Sequence, residues 1–194
     1  MSPRLVLASG SPRRREFLDG LGLRYEARTP DVDETPRAGE SPRDYVARVA
    51  EDKALAAGCD GELVIAADTT VVVDGDILGK PVDETTARAM LARLAGRWHE
   101  VLTAVAVAEP ASRRLARGVA STQVLMSAMT AERIAWYVGT GEPLDRAGAY
   151  AIQGLGALLV EQVRGNYTNV VGLPLPLVER LCAELGYDLL SFRV

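Results

Sequence analysis

The chain has 194 residues and a formal net charge of −4, from 22 basic and 26 acidic side chains. This acidic balance argues against general nucleic-acid binding, which would need a basic face. Hydrophobic residues make up 48% of the chain, and no apolar run approaches the length of a membrane span. We therefore expect a single domain over residues 1–194, built as one large body or as two intimately packed lobes, long enough to bury a sizeable core and with no membrane partner.

Cysteine and histidine usage narrows the possible chemistry. Cys59 and Cys182 are far apart in sequence and match no metal-ligand spacing, so we expect two free thiols in a reducing cytoplasm. No signal-peptide pattern opens the chain. His99 is the only histidine, which excludes a multi-histidine metal site and disfavours a serine–histidine hydrolase.

The first motif is a strand, a short polar loop and a helix start. Leu5 to Ala8 form an apolar run typical of a buried strand, and Ser11 before Pro12 is a helix start with proline at the first position. Unpaired N–H groups at a helix N-terminus, with hydroxyls and guanidinium groups nearby, favour a phosphate or carboxylate ligand. An ordinary capped helix with solvated arginines is the alternative. The candidate anion-binding side chains are Ser9, Ser11, Arg13 and Arg14.

Lysine is rare in this chain. Lys53 and Lys80 are the only lysines among its 22 basic residues, and a compact ammonium suits a point contact with a phosphate oxygen. A second helix begins after Ser41, and Lys53 interrupts its apolar face, which is formed by Val46, Val49, Ala50 and Ala57. Lys53 is therefore either a lysine that snorkels from the edge of this face or a lysine at the rim of a cleft.

Residues 63–73 give the strongest strand signal, with Asp68 in the middle and Thr69 next to it. A carboxylate within a buried strand is costly unless it is paired, hydrogen-bonded or metal-bound. A structural Asp68 bonded to neighbouring backbone is possible, but a functional one is favoured. A hairpin turn at Asp74 and Gly75 follows, and Lys80 comes next in a rigid Gly-Lys-Pro turn a short reach from this strand.

The rest of the chain alternates strands and helices, which predicts an α/β fold with a mixed central sheet. Its glycine-rich segment, residues 139–156, is typical of a loop that approaches a ligand closely. His99 is expected to be a hydrogen-bonded structural residue. The predicted elements are a helix from Asp83 to Gly96, strands 98–107 and 114–125, a helix from Thr130, a strand over 158–163, a turn over 166–169 and a last helix that ends at Gly186.

The unusual polar residues together suggest a metal-bound polyphosphate. Several cations with two or more carboxylates suit a triphosphate and a divalent metal, Mg²⁺ or Mn²⁺. Asp68 could orient or deprotonate water, Glu34 could share the metal or the base role, and the Gln153 amide could pair with a pyrimidine edge. The residues in this set are Ser9, Ser11, Arg13, Arg14, Lys53, Asp68, Thr69, Lys80 and Gln153.

Six segments in this order resemble the Maf family of nucleoside triphosphate pyrophosphatases, almost from end to end. They are Ser9-Gly-Ser-Pro-Arg-Arg14, Ala67-Asp-Thr69, Gly79-Lys-Pro81, Leu94-Ala-Gly96 with His99 and Thr103, Ala147-Gly-Ala-Tyr-Ala-Ile-Gln-Gly154, and Val171-Gly-Leu-Pro174. The resemblance implies an elongated, two-lobed α/β fold with a deep cleft, like that of inosine triphosphate pyrophosphatases. It also implies a cytoplasmic enzyme, often a homodimer, that uses a divalent metal to release pyrophosphate.

The resemblance further implies residue roles and a substrate. Asp68 matches the catalytic acceptor, and Arg13, Thr69 and Gln153 fall where family members set substrate choice. Glu34, Lys53 and Lys80 match charged residues of the cleft. The segment that carries Gln153 resembles members that act on dTTP and UTP rather than 7-methyl-GTP, although Ala151 stands where many relatives have glycine. The alternatives that remain are modified pyrimidine substrates, a pyrophosphatase with 7-methyl-GTP or another base preference, a non-catalytic regulator of septum formation and an ATP-dependent phosphotransferase.

Overall fold

Helices and strands alternate through the computed structural model, which describes residues 3–194. Residues 1 and 2, which belong to the predicted single domain, lie outside this range. The strands are β1 (Arg4–Ala8), β2 (Glu26–Arg28), β3 (Glu62–Val73), β4 (Asp76–Leu78), β5 (Trp98–Glu109), β6 (Arg114–Met126) and β7 (Val160–Arg164). The helices are α1 (Pro12–Gly20), α2 (Pro42–Ala57), α3 (Glu84–Leu94), α4 (Ala131–Val138), α5 (Tyr167–Val171) and α6 (Leu175–Glu184).

The strands form one mixed sheet in the order β2-β1-β3-β5-β6-β7, with β4 paired to β3. β1 is parallel to both β2 and β3, whereas β3 with β4 and β6 with β7 are antiparallel. Residues Leu5 to Ala8 of β1 are buried, as their continuous apolar run predicts for a strand covered on both faces. The predicted mixed α/β fold is confirmed.

The chain divides into two compact units, each with its own apolar core. In the first unit, β1, the start of β3 and α6 supply much of the core. In the second, the core is built from the end of β3 together with α3 and α4. The first unit is Met1–Asp68, Thr103–Ala120 and Gly172–Val194, and the second is Thr69–Leu102 and Ser121–Val171. That the whole chain acts as a single domain stays a prediction.

The predicted helix starts are confirmed, and those of α2 and α3 have side-chain caps. The Ser41 hydroxyl accepts a hydrogen bond from the Asp44 N–H at 3.2 Å, with proline at the next position. The Asp83 carboxylate accepts one from the Thr86 N–H at 2.7 Å. Such side chains satisfy donors that a helix N-terminus leaves unpaired.

Two predictions in the second half of the chain need correction. The predicted turn over 166–169 is largely the short helix α5, because the Asn166 side-chain oxygen accepts from the Asn169 N–H at 2.9 Å and starts a helical turn. The last strand begins at Val160 rather than Leu158, since Gly154–Leu159 forms 3-10 turns instead. Among the described residues, no helix has the length and apolar character needed to cross a bilayer.

Candidate functional site

The loop between β1 and α1 is organised around the Ser9 hydroxyl. Ser9 is buried, and its Oγ accepts hydrogen bonds from the Ser11 N–H at 3.2 Å and from Arg14 Nη1 at 3.0 Å. Ser11 is the residue before α1, in extended conformation, and its side chain makes no capping hydrogen bond. Arg13 lies half-buried in the first turn. The predicted strand, loop and helix start are therefore all present.

Arg14, one of the predicted anion-binding residues, hydrogen-bonds to oxygens of the protein. It is buried, its Nε donates to the Gly172 carbonyl at 2.7 Å, and its Nη1 donates to the Ala67 carbonyl at 2.8 Å. Burial lowers the pKa of this guanidinium, and the nearby Asp68 carboxylate opposes the change. Because Nε and Nη1 are committed to protein oxygens, Arg14 ties the loop to β3. Its contact with phosphate stays a prediction.

Lys53 lies on the buried face of α2 together with the four apolar residues that the helical spacing predicts. Its side chain is only 11% exposed, and its Nζ lies 2.8 Å from Asp68 Oδ1 and 2.9 Å from Glu34 Oε1. A snorkelling lysine would place its ammonium in water, so that interpretation is wrong. One ammonium group instead joins two carboxylates, one from the strand β3 and one from the irregular segment before α2.

Asp68 is the buried acid of this Lys53–Asp68–Glu34 cluster, with 6% of its surface exposed. Burial raises its pKa, while the charges of Lys53 and Arg14 work in the opposite direction. Glu34 has a side chain that is 53% exposed, so its carboxylate is open to water as well as to Lys53. The cluster therefore combines a desolvated carboxylate, which can accept a proton, with an accessible one that can bind a cation.

The remaining predicted site residues belong to the second unit. Lys80 follows β4, and its Nζ lies 2.6 Å from Asp145 Oδ1, with both side chains about two-thirds exposed (67% and 69%). Thr69, the residue after Asp68 in β3, is half-buried, as is Gln153. Gln153 directly precedes the 3-10 turns of Gly154–Leu159. The predicted short distance between Lys80 and the Asp68 strand stays a prediction.

His99 is a structural residue, as predicted. Its Nε2 lies 2.7 Å from the Tyr150 hydroxyl, and the two rings meet edge to face. Burial lowers the pKa of His99 to about 4, so the imidazole is neutral at pH 7.

The contacts of two acidic residues, Glu62 and Glu142, were not predicted from the sequence. Glu62, at the start of β3, is a buried carboxylate that contacts the guanidinium groups of Arg4 and Arg28. Glu142, in the glycine-rich segment, accepts hydrogen bonds from Tyr137 and from backbone N–H groups near Gln153. The Gly-Glu-Pro sequence of residues 141–143, an acid between two turn-forming residues, could have indicated Glu142. No feature of the neighbouring sequence indicates the contacts of Glu62.

The first unit thus places a hydroxyl-lined helix start and a buried ammonium–carboxylate cluster in an α/β protein, as in proteins that bind phosphorylated ligands. Comparison with known proteins gives the family. The family model described as Maf-like protein matches residues 4–185. The chain therefore belongs to the Maf family.

Curated relatives match nearly the whole chain. The chain is 55% identical over 191 residues to a "dTTP/UTP pyrophosphatase" of Anaeromyxobacter dehalogenans strain 2CP-1, covering 97% of each chain. It is 49% identical over 187 residues to the protein of the same name from Myxococcus xanthus, covering 95% of this chain and 94% of the relative. A third protein of that name, from Symbiobacterium thermophilum, is 44% identical over 189 residues and covers 96% of each.

Proposed function

We propose that this chain is a nucleoside triphosphate pyrophosphatase that hydrolyses dTTP and UTP to the monophosphate and pyrophosphate. The observation that carries the proposal is the buried Lys53 ammonium held between Asp68 and Glu34. Membership of the Maf family and the names of the relatives support the substrate pair. Modified pyrimidine triphosphates with the same base edge are further candidates.

Asp68 is proposed as the base that takes a proton from the attacking water. The water oxygen forms a bond to the α-phosphorus, the bond from that phosphorus to the α–β bridging oxygen breaks, and pyrophosphate leaves. Burial raises the pKa of Asp68 towards the working pH, which improves a carboxylate as a general base. Lys53 holds Asp68 in place and balances the negative charge that develops during attack.

A divalent cation, Mg²⁺ or Mn²⁺, is the proposed cofactor, with Asp68 and Glu34 as its protein ligands. The donor set fits, because both groups are hard oxygen ligands whose carboxylates already converge on one cation, the Lys53 ammonium. Within residues 3–194 no group of three or more acidic, histidine or cysteine side chains is arranged to hold a metal. Substrate phosphates and water would complete the coordination, as is common for Mg²⁺. When bound, the metal would neutralise charge on the phosphates.

The remaining polar residues are proposed to bind the substrate. Ser9, Ser11, Arg13 and Arg14 surround the start of α1, where backbone N–H groups favour phosphate oxygens. Lys80 is proposed as a catalytic cation and Thr69 as a substrate-binding residue, as the family resemblance implies. Gln153 is proposed to read the base, because an amide offers both a donor and an acceptor. Uracil and thymine share one imide edge and differ by a methyl group, so one amide can recognise both bases.

The location and assembly of the protein are also proposals. We place it in the cytoplasm, where the free thiols of Cys59 and Cys182 would stay reduced. A homodimer is the assembly that the family resemblance implies. Sedimentation of the purified chain tests this directly.

A nucleotide panel with detection of pyrophosphate tests the proposed activity. With Mg²⁺, UTP and dTTP should be converted well above CTP, GTP, ATP and 7-methyl-GTP. Asp68→Asn should lower kcat by about 100-fold or more, whereas Asp60→Asn, an exposed matched control, should not change it. Binding without turnover would favour a non-catalytic regulator. Release of ADP from ATP would favour a phosphotransferase, and faster conversion of 7-methyl-GTP would indicate a different base preference.

A further inference from the structure

The segment that carries Gln153 is held on both sides by one pair of side chains, Tyr137 and Glu142. On the N-terminal side, the Ala151 N–H donates to the Tyr137 hydroxyl at 3.2 Å. On the C-terminal side, the N–H groups of Leu155 and Gly156 donate to Glu142 Oε2 and Oε1 at 3.0 and 2.8 Å. The Tyr137 hydroxyl in turn donates to Glu142 Oε1 at 2.8 Å. Hydrogen bonds therefore fix the backbone at Ala151, before Gln153, and at Leu155 and Gly156, after it.

The two glycines of this segment show how closely it packs on the pair. A Cβ on Gly154, whose φ is +65°, would lie 2.6 Å from Glu142 Oε2. A Cβ on Gly156 would lie 2.2 Å from the Ala151 carbonyl and 2.5 Å from the Tyr137 hydroxyl. A real Cβ atom does not approach so closely, so glycine permits the backbone to pack against the Glu142 carboxylate at position 154 and against the Tyr137 hydroxyl at position 156.

The pair is itself held in place. Tyr137 is fully buried in α4, and burial, followed by the hydrogen bond to Glu142, raises the pKa of its hydroxyl. The hydroxyl therefore stays protonated and donates. The Thr140 hydroxyl donates to the Tyr137 carbonyl at 2.7 Å and accepts from the Glu142 N–H at 3.3 Å. These contacts join the end of α4 to the segment of Gln153.

By contrast, the Gln153 side chain has no hydrogen-bond partner of its own within residues 3–194, so its direction depends on its backbone. An amide that selects a base must meet a particular donor and acceptor, and a small displacement removes that selection. We infer that Glu142 and Tyr137 are positioning residues for base selection, an inference that rests on the proposed function: they aim the Gln153 amide at the imide edge of uracil or thymine. Cytosine lacks that imide edge, so its recognition would depend little on the direction of the Gln153 amide.

The test measures base selection rather than activity alone. Glu142→Gln keeps the shape of the side chain but replaces one acceptor oxygen with a donor, which opposes the backbone N–H groups. We expect the ratio of kcat/KM for UTP to that for CTP to fall about tenfold, with the CTP value nearly unchanged. Tyr137→Phe should lower the same ratio by a smaller factor. In a Gln153→Ala background, neither substitution should lower the ratio further.

Hydrogen exchange supplies a readout that needs no substrate. In Glu142→Gln the backbone amides of Leu155 and Gly156 should exchange about tenfold faster than in the unsubstituted chain. Glu161→Gln, at an exposed position of β7, is the matched control and should change neither the exchange nor the ratio. If Glu142→Gln does not fold, the same kcat/KM ratio and amide exchange measured on Tyr137→Phe test the inference instead.

The two possible failures can be told apart. Equal losses for UTP and CTP, or losses that add to those of Gln153→Ala, would overturn the positioning role even in an active enzyme. No turnover of UTP or dTTP by the unsubstituted chain would instead overturn the proposed function. Unchanged exchange at Leu155 and Gly156 would overturn the anchoring itself.

Discussion

Replacing Glu62 with glutamine should destabilise the folded chain by about 3 kcal/mol at pH 7. Glu62 begins the strand that carries Asp68, and its side chain is fully buried. Its carboxylate accepts hydrogen bonds from Arg28 at 2.7 and 2.8 Å, from Arg4 at 2.9 Å and from the Cys59 N–H at 2.9 Å. Glutamine keeps the shape but offers one acceptor oxygen, so several of these donors lose their partner.

The magnitude follows from the pKa of Glu62. Hydrogen bonds from Arg28 lower this pKa from 4.5 to about 2 in the folded chain. Each tenfold change in proton affinity is worth about 1.4 kcal/mol, which gives about 3 kcal/mol in total. Because the folded pKa is the lower one, this stabilisation is complete above pH 4.5 and is lost as the pH falls towards 2.

Urea unfolding followed by far-UV circular dichroism at several pH values measures the effect. The difference between the unsubstituted chain and Glu62→Gln should be full at pH 7 and shrink steadily below pH 4.5. Glu26→Gln is the control, because Glu26 also contacts Arg28 but is half-exposed, and it should cost much less. Equal stability of the two chains at pH 7, or a difference that does not shrink in acid, would refute the reasoning.

Three further predictions concern other residues of the two units. Lys53→Arg and Lys80→Arg should each lower kcat about tenfold or more while the chain stays folded, because a guanidinium cannot replace a compact ammonium; full activity in both would show that lysine is not needed. The single histidine signal in an NMR titration should give a pKa of about 4 for His99, and a value near 6.5 would mean that its ring is not buried. Arg14→Lys should lose two or more hydrogen bonds and destabilise the chain by about 1–3 kcal/mol in thermal unfolding, whereas an unchanged Tm would contradict its bonding to Gly172 and Ala67.

Local signals predicted much of the fold. The Ser-Pro pairs before α1 and α2 marked both helix starts, since proline suits the first helical position in both and the Ser41 side chain also caps α2. The apolar spacing along α2 predicted its buried face, with Lys53 on it. Asn166 misled the prediction because the same side chain that favours a turn also caps a helix, and only the following residues decide between them.

The candidate site could be predicted less completely, because its contacts join distant parts of the chain. Asp68 could be identified from the sequence because burying a carboxylate within a strand is unfavourable in free energy. Its ion pair with Lys53 could not, because it depends on how α2 packs near β3. Nothing near Glu62 in the sequence indicates its ion pairs: the parallel pairing of β1 with β3 places Arg4 opposite it, and Arg28 lies 34 residues away along the chain. Arg14 was predicted to bind an anion, and its hydrogen bonds to the protein could not be predicted because its carbonyl partners lie more than fifty residues away.

In the proposed reaction, water attacks the α-phosphorus of a pyrimidine triphosphate. Hydrolysis of UTP in water labelled with ¹⁸O, followed by mass spectrometry of both products, tests it most directly. The label should appear in UMP, with unlabelled pyrophosphate in equal amount, and Asp68→Asn should suppress both products. Label in pyrophosphate, or release of inorganic phosphate with UDP, would contradict the account.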